Sequence, residues 1–341
     1  MSMASTSGAT AAGRATGAPW PAFLRWLAGG GLAVFLLLAG FIAWADPYGL
    51  GLKAGAKPRP LIDLNQRFMY PQLVRSGRFD AAVIGTSSVR LFEPERLSDL
   101  FGHRFANLGM NAATPWEQAR LMRLIRETWT TPRAVIWGLD ATWCEADADS
   151  AAKRLTPRPF PDWLYERQSW LDLPKTLNLM TLEIAGRRLG AILGKKPPRL
   201  GQDGFDEFTP PDASYDLERA RFHLFRGHGG QAPAHLPADV GLAAEAELAH
   251  RAFPALGWLE AELMALPGMA SRILLLPPVH AASLPDPISE TGKREAACKT
   301  ALVQLARRTG AILVDYRLPS TLTRDDSRFW DPLHYRIGVA R

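Results

Sequence analysis

The stretch Ala81–Arg90, AAVIGTSSVR, decides how the rest of the chain is read. Four apolar residues end at Gly85, three hydroxyl-bearing residues follow, and Arg90 stands close behind. A short apolar run bounded by glycine is the pattern of a strand buried on both faces, and continuous hydrophobicity of this kind belongs to parallel sheets covered by helices. The pattern recurs in RFANLG (104–109), AVIWGL (134–139), RILLLP (272–277) and AILVDY (311–316), with longer helical stretches between. The expectation is an α/β domain: three layers, α/β/α, around a five-stranded parallel sheet in flavodoxin-like order.

The connecting segments carry their own signals. A helix is expected over about 63–76. TPWE (114–117) places Thr114 as N-cap, Pro115 at the first helical position and Glu117 to complete a capping box. The segment 288–310 carries Ala297, Ala301, Leu302 and Leu305 on one stripe, Arg307 and Arg308 in its last turn and Gly310 as its stop. Between the third and fourth strands lies far more chain than one crossover needs. It reads as an insertion, 145–265, with helical segments DWLYERQSWLDL, LNLMTLEIAGRRLGAIL and AAEAELAHRAFPALGWLEAELMAL, the last interrupted at Pro254. The loop GKKPPRLGQDGFDEFTPPDASYD lies among them.

Ahead of the domain, residues 1–22 are small and polar without periodicity, as in a disordered tail. From Trp26 to Ala45 there are twenty residues without a charge, enough at 1.5 Å per residue to match a hydrocarbon core of about 30 Å. Trp26 and Trp44 sit near the two ends, Arg14 and Arg25 precede the span, and Asp46 is the first charge after it. A single-pass anchor over 23–45 is expected, with the N-terminus cytoplasmic and residues 46–341 on the periplasmic face of the inner membrane. A cleaved signal peptide ending at Ala43-Trp44-Ala45 is the rival. The loop DPYGLGLKAGAKPRP follows, its glycines and prolines opposing regular structure.

The 341 residues are 47% hydrophobic and 22% charged, which is globular composition, and the net charge of +6 comes with no nucleic-acid motif. The seven histidines show no metal-ligand spacing, no phosphate loop is present, and no cofactor is expected. Cys144 and Cys298 are expected as buried free thiols, a bridge between them being the alternative. Arg187, Arg188, Lys195, Lys196 and Arg199 form a basic cluster expected on a solvated face, with an anionic glycan or the membrane surface as its alternative partner.

Parallel sheets place functional loops at the carboxyl ends of their strands. Ser87 follows the first strand, Gly109 and Asn111 the second, Asp140 the third, and Asp331 and His334 lie beyond the fifth. Residues three apart on a helical turn share a side, so Asp331 is placed to orient His334, leaving Nε2 to take a proton from Ser87. The backbone N–H groups of Ser87 and Gly109 are placed to form an oxyanion hole. His280 in LPPVH reads as structural or substrate-adjacent.

The order Gly-x-Ser, a glycine after the second strand, Gly-x-Asp after the third and Asp-x-x-His near the C-terminus resembles the SGNH/GDSL hydrolase superfamily. More narrowly, DPYG after an anchor, IGTSSVR, NLGMNAAT, GLD, LPPVH and WDPLHY resemble membrane-anchored exported SGNH-like proteins of bacteria, related to polysaccharide O-acetyltransferases and esterases. The resemblance covers about 46–341. It implies Ser87 as nucleophile, His334 as base, Asp331 as its orienting acid, Gly109 as oxyanion donor, and a glycan or other acyl-ester substrate, with polysaccharide-assembly proteins as partners. Asp140 stands where the family has an asparagine, and an ionised carboxylate donates no hydrogen bond. Either Asn111 substitutes, or Asp140 pairs with Arg90 and shapes the site. The alternative is a non-catalytic scaffold or glycan-binding subunit, favoured by Asp140 and by the seven residues that follow His334.

Overall fold

The computed structural model describes residues 20–51, 59–62, 65–167, 170–198 and 200–341. Helix α1 (Trp20–Ala45) is followed by α2 (Gln66–Arg75), β1 (Ala81–Gly85), α3 (Pro94–Phe101), β2 (Phe105–Gly109), α4 (Pro115–Thr128) and β3 (Ala134–Gly138). The insertion holds α5 (Leu179–Ile192), α6 (Leu217–Leu224), α7 (Glu245–Ala249) and α8 (Ala255–Met264). The chain then forms β4 (Ser271–Leu276), α9 (Glu290–Thr309), β5 (Ile312–Asp315) and the short α10 (Ile337–Ala340).

All four strand pairings are parallel, and the order is β2-β1-β3-β4-β5. Alternate strand residues enter different clusters, as the two-residue period of a strand requires. Ala82, Ile84, Leu108, Val135, Trp137 and Leu274 join α2, α4, α8 and α9 in the main core, while Val83, Phe105, Ile136 and Leu275 pack with Leu97 and Phe101 of α3. Trp137 is fully buried and donates its indole N–H to Gln118 Oε1 at 2.9 Å, so its polar atom costs nothing to bury. β1, β2 and β3 are buried throughout. β5 is not: it is an edge strand paired only with β4, and Ile312 is 63% exposed.

The capping box at Thr114 and Glu117 forms in both directions, and Gly310 stops α9 in the left-handed region. Segment 162–176 differs from expectation. It forms two 3-10 turns, Asp162–Tyr165 and Trp170–Thr176, the second containing Pro174, which removes a helical donor. Cys144 and Cys298 are not free thiols. They are joined as a disulfide, because the turn after β3 packs on α9 and brings their Cα atoms to 5.6 Å. Such a bridge suits an oxidising compartment.

The 26 residues of α1 are long and apolar enough to cross a membrane, and only Ile42 and Ala45 are buried by the rest of the protein. The helix begins at Trp20, so residues 20–22 belong to it rather than to the expected tail; residues 1–19 lie outside the described residues. Its end is fixed to the domain. Asp46 accepts the N–H groups of Leu50 (2.7 Å) and Gly51 (3.1 Å), its carbonyl accepts Arg188 Nη1, and Tyr48 Oη and Thr181 Oγ1 share a hydrogen bond at 2.9 Å. Arg188 is therefore buried and engaged, unlike the solvated member of a basic cluster; Arg199 lies outside the described residues.

Candidate functional site

Strand β1 ends at Gly85 and turns at once into a single 3-10 turn, Ser87–Val89. The turn sits tightly on the ends of three strands. A Cβ on Gly85 would lie 2.8 Å from Val89 Cγ2, one on Gly109 3.0 Å from Arg90 Cγ, and one on Gly138 2.3 Å from Val89 Cγ1. The glycines ending β1, β2 and β3 thus make room for Val89, which anchors the turn and presents Ser87 above the sheet. Thr86 Oγ1 and Ser88 Oγ share a hydrogen bond at 3.2 Å, which occupies the two neighbouring hydroxyls with each other.

Ser87 Oγ lies 2.8 Å from His334 Nε2, and His334 Nδ1 lies 2.7 Å from Asp331 Oδ2. The pair 331/334 does not sit on a helical turn as its spacing predicts. It lies in a loop closed by a bridge between Phe329 and Tyr335 and by the Trp330 N–H on the His334 carbonyl at 2.8 Å. Asp331 makes the turn itself: Oδ1 accepts the N–H groups of Leu333 (2.8 Å) and His334 (3.0 Å), leaving Oδ2 for the imidazole. Tyr335 is buried and donates its hydroxyl to the Ser88 carbonyl, fastening this loop to the serine turn. Partial burial pushes the Asp331 carboxyl up, but the His334 hydrogen bond and charge and the two backbone donors outweigh it. The net shift is below the usual carboxylate range, so the carboxylate that orients His334 is ionised at neutral pH.

The loop after β2 carries Gly109 and Asn111. Gly109 does not offer a free oxyanion donor: its N–H is given to Asn107 Oδ1 at 3.0 Å. The Ser87 N–H, at the start of a 3-10 turn, has no acceptor among the described residues. Asn111 is held from two sides. Its carbonyl accepts Arg67 Nη1 at 3.2 Å, and its side-chain Oδ1 accepts Arg90 Nη1, which leaves Nδ2 as the donor branch of that amide. Arg67 is fully buried with Glu117, their Nη2–Oε2 distance being 2.5 Å, and this pair ties α2 to the start of α4. Between them Ala112 takes a positive φ of 49°.

Arg90 does not pair with Asp140. Its Nη2 is bound by Asp206, and its guanidinium lies over the Phe208 ring, 4.4 Å from the centroid. Phe208 in turn packs edge-on against His334, with ring centroids 5.4 Å apart. Asp140 caps its own turn, accepting Thr142 N–H and Oγ1. Asp206 and Phe208 come from the insertion loop, in a segment the sequence marks only as loop. That loop runs beside the edge of β2, where Asn107 N–H donates to the Asp203 carbonyl at 2.8 Å and Gly204, at φ 84°, sits against the Asn107 carbonyl. A Cβ at Gly204 would fall 2.0 Å from that oxygen, so glycine is what lets the insertion approach the site.

No family model, curated protein or solved structure matches the chain. What the residues can do is therefore read from their chemistry. A serine hydroxyl in contact with an imidazole nitrogen, whose other nitrogen faces a carboxylate, is the arrangement that activates serine for attack on an acyl carbon. His334 is 26% exposed at its side chain, so its ring is reached from solvent. Beside Asp331 lies a cavity of about 300 Å³ bordered by Trp330, Arg219, His223 and Ser214. His280 is buried and accepts the Ala282 N–H at 3.3 Å while facing Asp326 at 3.0 Å; it holds the loop preceding Asp331 and does not touch Ser87. No group of metal-ligating side chains occurs among the described residues.

Proposed function

We propose that this chain is a membrane-anchored, SGNH-type serine acyl-ester hydrolase or O-acyltransferase, with its domain folded as three layers and facing the periplasm. The observation that carries the proposal is the continuous contact Ser87–His334–Asp331, at 2.8 and 2.7 Å. Ser87 Oγ attacks the carbonyl carbon of an O-acyl group, most simply O-acetyl on a glycan, and its proton passes to His334 Nε2. Asp331 balances the imidazolium charge. The carbonyl oxygen becomes an oxyanion, for which the free Ser87 N–H and Asn111 Nδ2 are the donors. Collapse releases the sugar hydroxyl, protonated by His334, and leaves an acyl-serine. Water or a second hydroxyl, deprotonated by His334, then takes the acyl group and restores Ser87.

The test is hydrolysis of an aryl acetate by the full chain. Ser87→Ala is expected to abolish turnover, and undiminished activity in that variant would remove the assignment. The other class, a non-catalytic glycan-binding or scaffold subunit of a polysaccharide-assembly system, is favoured by one observation: the Gly109 N–H is occupied. It expects no turnover by the wild type.

A further inference from the structure

The insertion places a second apolar surface against the end of α1. Helix α5 packs on α1 through Ala185, Ile42 and Ala45, with Leu182 and Phe41 beside them. Its first turn reaches back along α1. Leu177, Leu179 and Leu182 line a groove with Phe35, Leu38 and Ile42. Leu38 is seven residues short of the end of α1, about 10 Å at 1.5 Å per residue. The preceding turn lies against α1 as well, Leu173 and Leu177 sharing a second groove with Ala39 and Ala43.

Much of the segment lining these grooves is exposed. Leu171 is 60% exposed, Leu173 55%, Leu177 41%, Leu179 84% and Met180 42%. The charges among them suit an interface: Lys175 pairs with Asp172 at 2.9 Å, on a stem long enough to carry its ammonium to the headgroups. Exposed leucines this dense on a soluble surface mark an interaction site. Here they are continuous with a helix long and apolar enough to cross a membrane, whose own surface is largely exposed.

We propose that residues 171–180 insert into the same leaflet that receives the C-terminal end of α1, making a second membrane contact that fixes the domain's tilt. The occupant of this surface is the lipid bilayer. The proposal rests on α1 crossing the membrane, and the tethering of Asp46 to Leu50, Gly51 and Arg188 makes the two contacts one rigid body.

The test uses site-specific fluorescence. No free cysteine occurs among the described residues, so a single introduced cysteine is labelled alone. Full chains carrying Leu179→Cys, Leu36→Cys or Leu242→Cys are labelled with an environment-sensitive nitrobenzoxadiazole dye. They are reconstituted in phosphatidylethanolamine–phosphatidylglycerol vesicles with or without doxyl-labelled lipid. The expected result is a blue-shifted emission, quenched by doxyl lipid, at 179 and 36, with water-like, unquenched emission at 242. Water-like emission at 179 with quenching at 36 overturns the insertion proposal and leaves the anchor standing. Water-like emission at both sites overturns the anchor and, with it, this proposal.

Discussion

For the proposed acyl transfer, Asn111 offers the sharpest test of how the oxyanion would be held. The Gly109 N–H is spent on Asn107, so the proposed oxyanion donors are the Ser87 N–H and the Nδ2 of Asn111, whose amide is oriented by Arg90. Removing one oxyanion donor typically raises the barrier by about 3–4 kcal/mol, or two to three decades in kcat. Two substitutions separate this effect from stability. Asn111→Ala also strands the Arg90 Nη1, a nearly buried donor, at a cost of about 1–3 kcal/mol in folding. Asn111→Asp gives Arg90 a charged acceptor and keeps the fold, but it cannot donate. Both variants should therefore lose kcat on an aryl acetate by a similar factor, while only Asn111→Ala should unfold at lower urea. An Asn111→Asp variant with kcat within a few-fold of wild type would refute the proposed role of Nδ2.

The remaining predictions concern the frame around the site. Replacing both Cys144 and Cys298 by alanine should destabilise the domain by about 2–4 kcal/mol, the usual range for a bridge, with the chain-entropy ceiling for a loop spanning 154 residues near 5 kcal/mol; urea unfolding measures it. Glu117→Ala leaves Arg67 buried and unpaired and should cost about 3–5 kcal/mol in the same assay, and it should lower activity because Arg67 also holds the Asn111 carbonyl. His280 titrates below the ordinary histidine value of 6.5, because burial disfavours its charged form more than Asp326 favours it. The unfolded chain then binds the proton more readily, so the stability His280 contributes above pH 6.5 is lost as pH falls through its depressed value. Melting temperature should drop on acidification through that window, and His280→Gln should flatten this part of the profile.

What the sequence makes legible follows from which forces are local. Continuous apolar runs locate all five strands to within a residue at each end, β1 at 81–85 without error, because burial on both faces leaves no other pattern. Thr114, Glu117 and Gly310 declare their helix ends through chemistry confined to a few residues. Ser87, His334 and Asp331 come into contact as their order along the chain suggests, because loops at the carboxyl ends of a parallel sheet converge. The loop that joins the last two is a carboxylate-capped turn and not a helix, a distinction their spacing does not carry. The partner of Arg90 was not legible: Asp206 lies 116 residues away in a segment whose composition is that of any surface loop. The sequence offers both free thiols and a bridge for Cys144 and Cys298 and does not choose between them, since only the docking of α9 on the turn after β3 brings the thiols together. Helix α6 had a readable signal in Asp216, which caps it by accepting the Arg219 N–H at 2.8 Å, but its eight residues are too few to show a periodicity.

The central claim is that Ser87 is an activated nucleophile, and covalent capture tests it without a known substrate. The full chain is treated with a fluorophosphonate and the adduct is read by intact mass and peptide mapping. One adduct on Ser87 is predicted, absent from Ser87→Ala and strongly slowed in His334→Ala, where the base 2.8 Å from Oγ is gone. An unlabelled wild-type Ser87, in protein whose fold is confirmed by circular dichroism, would contradict the account.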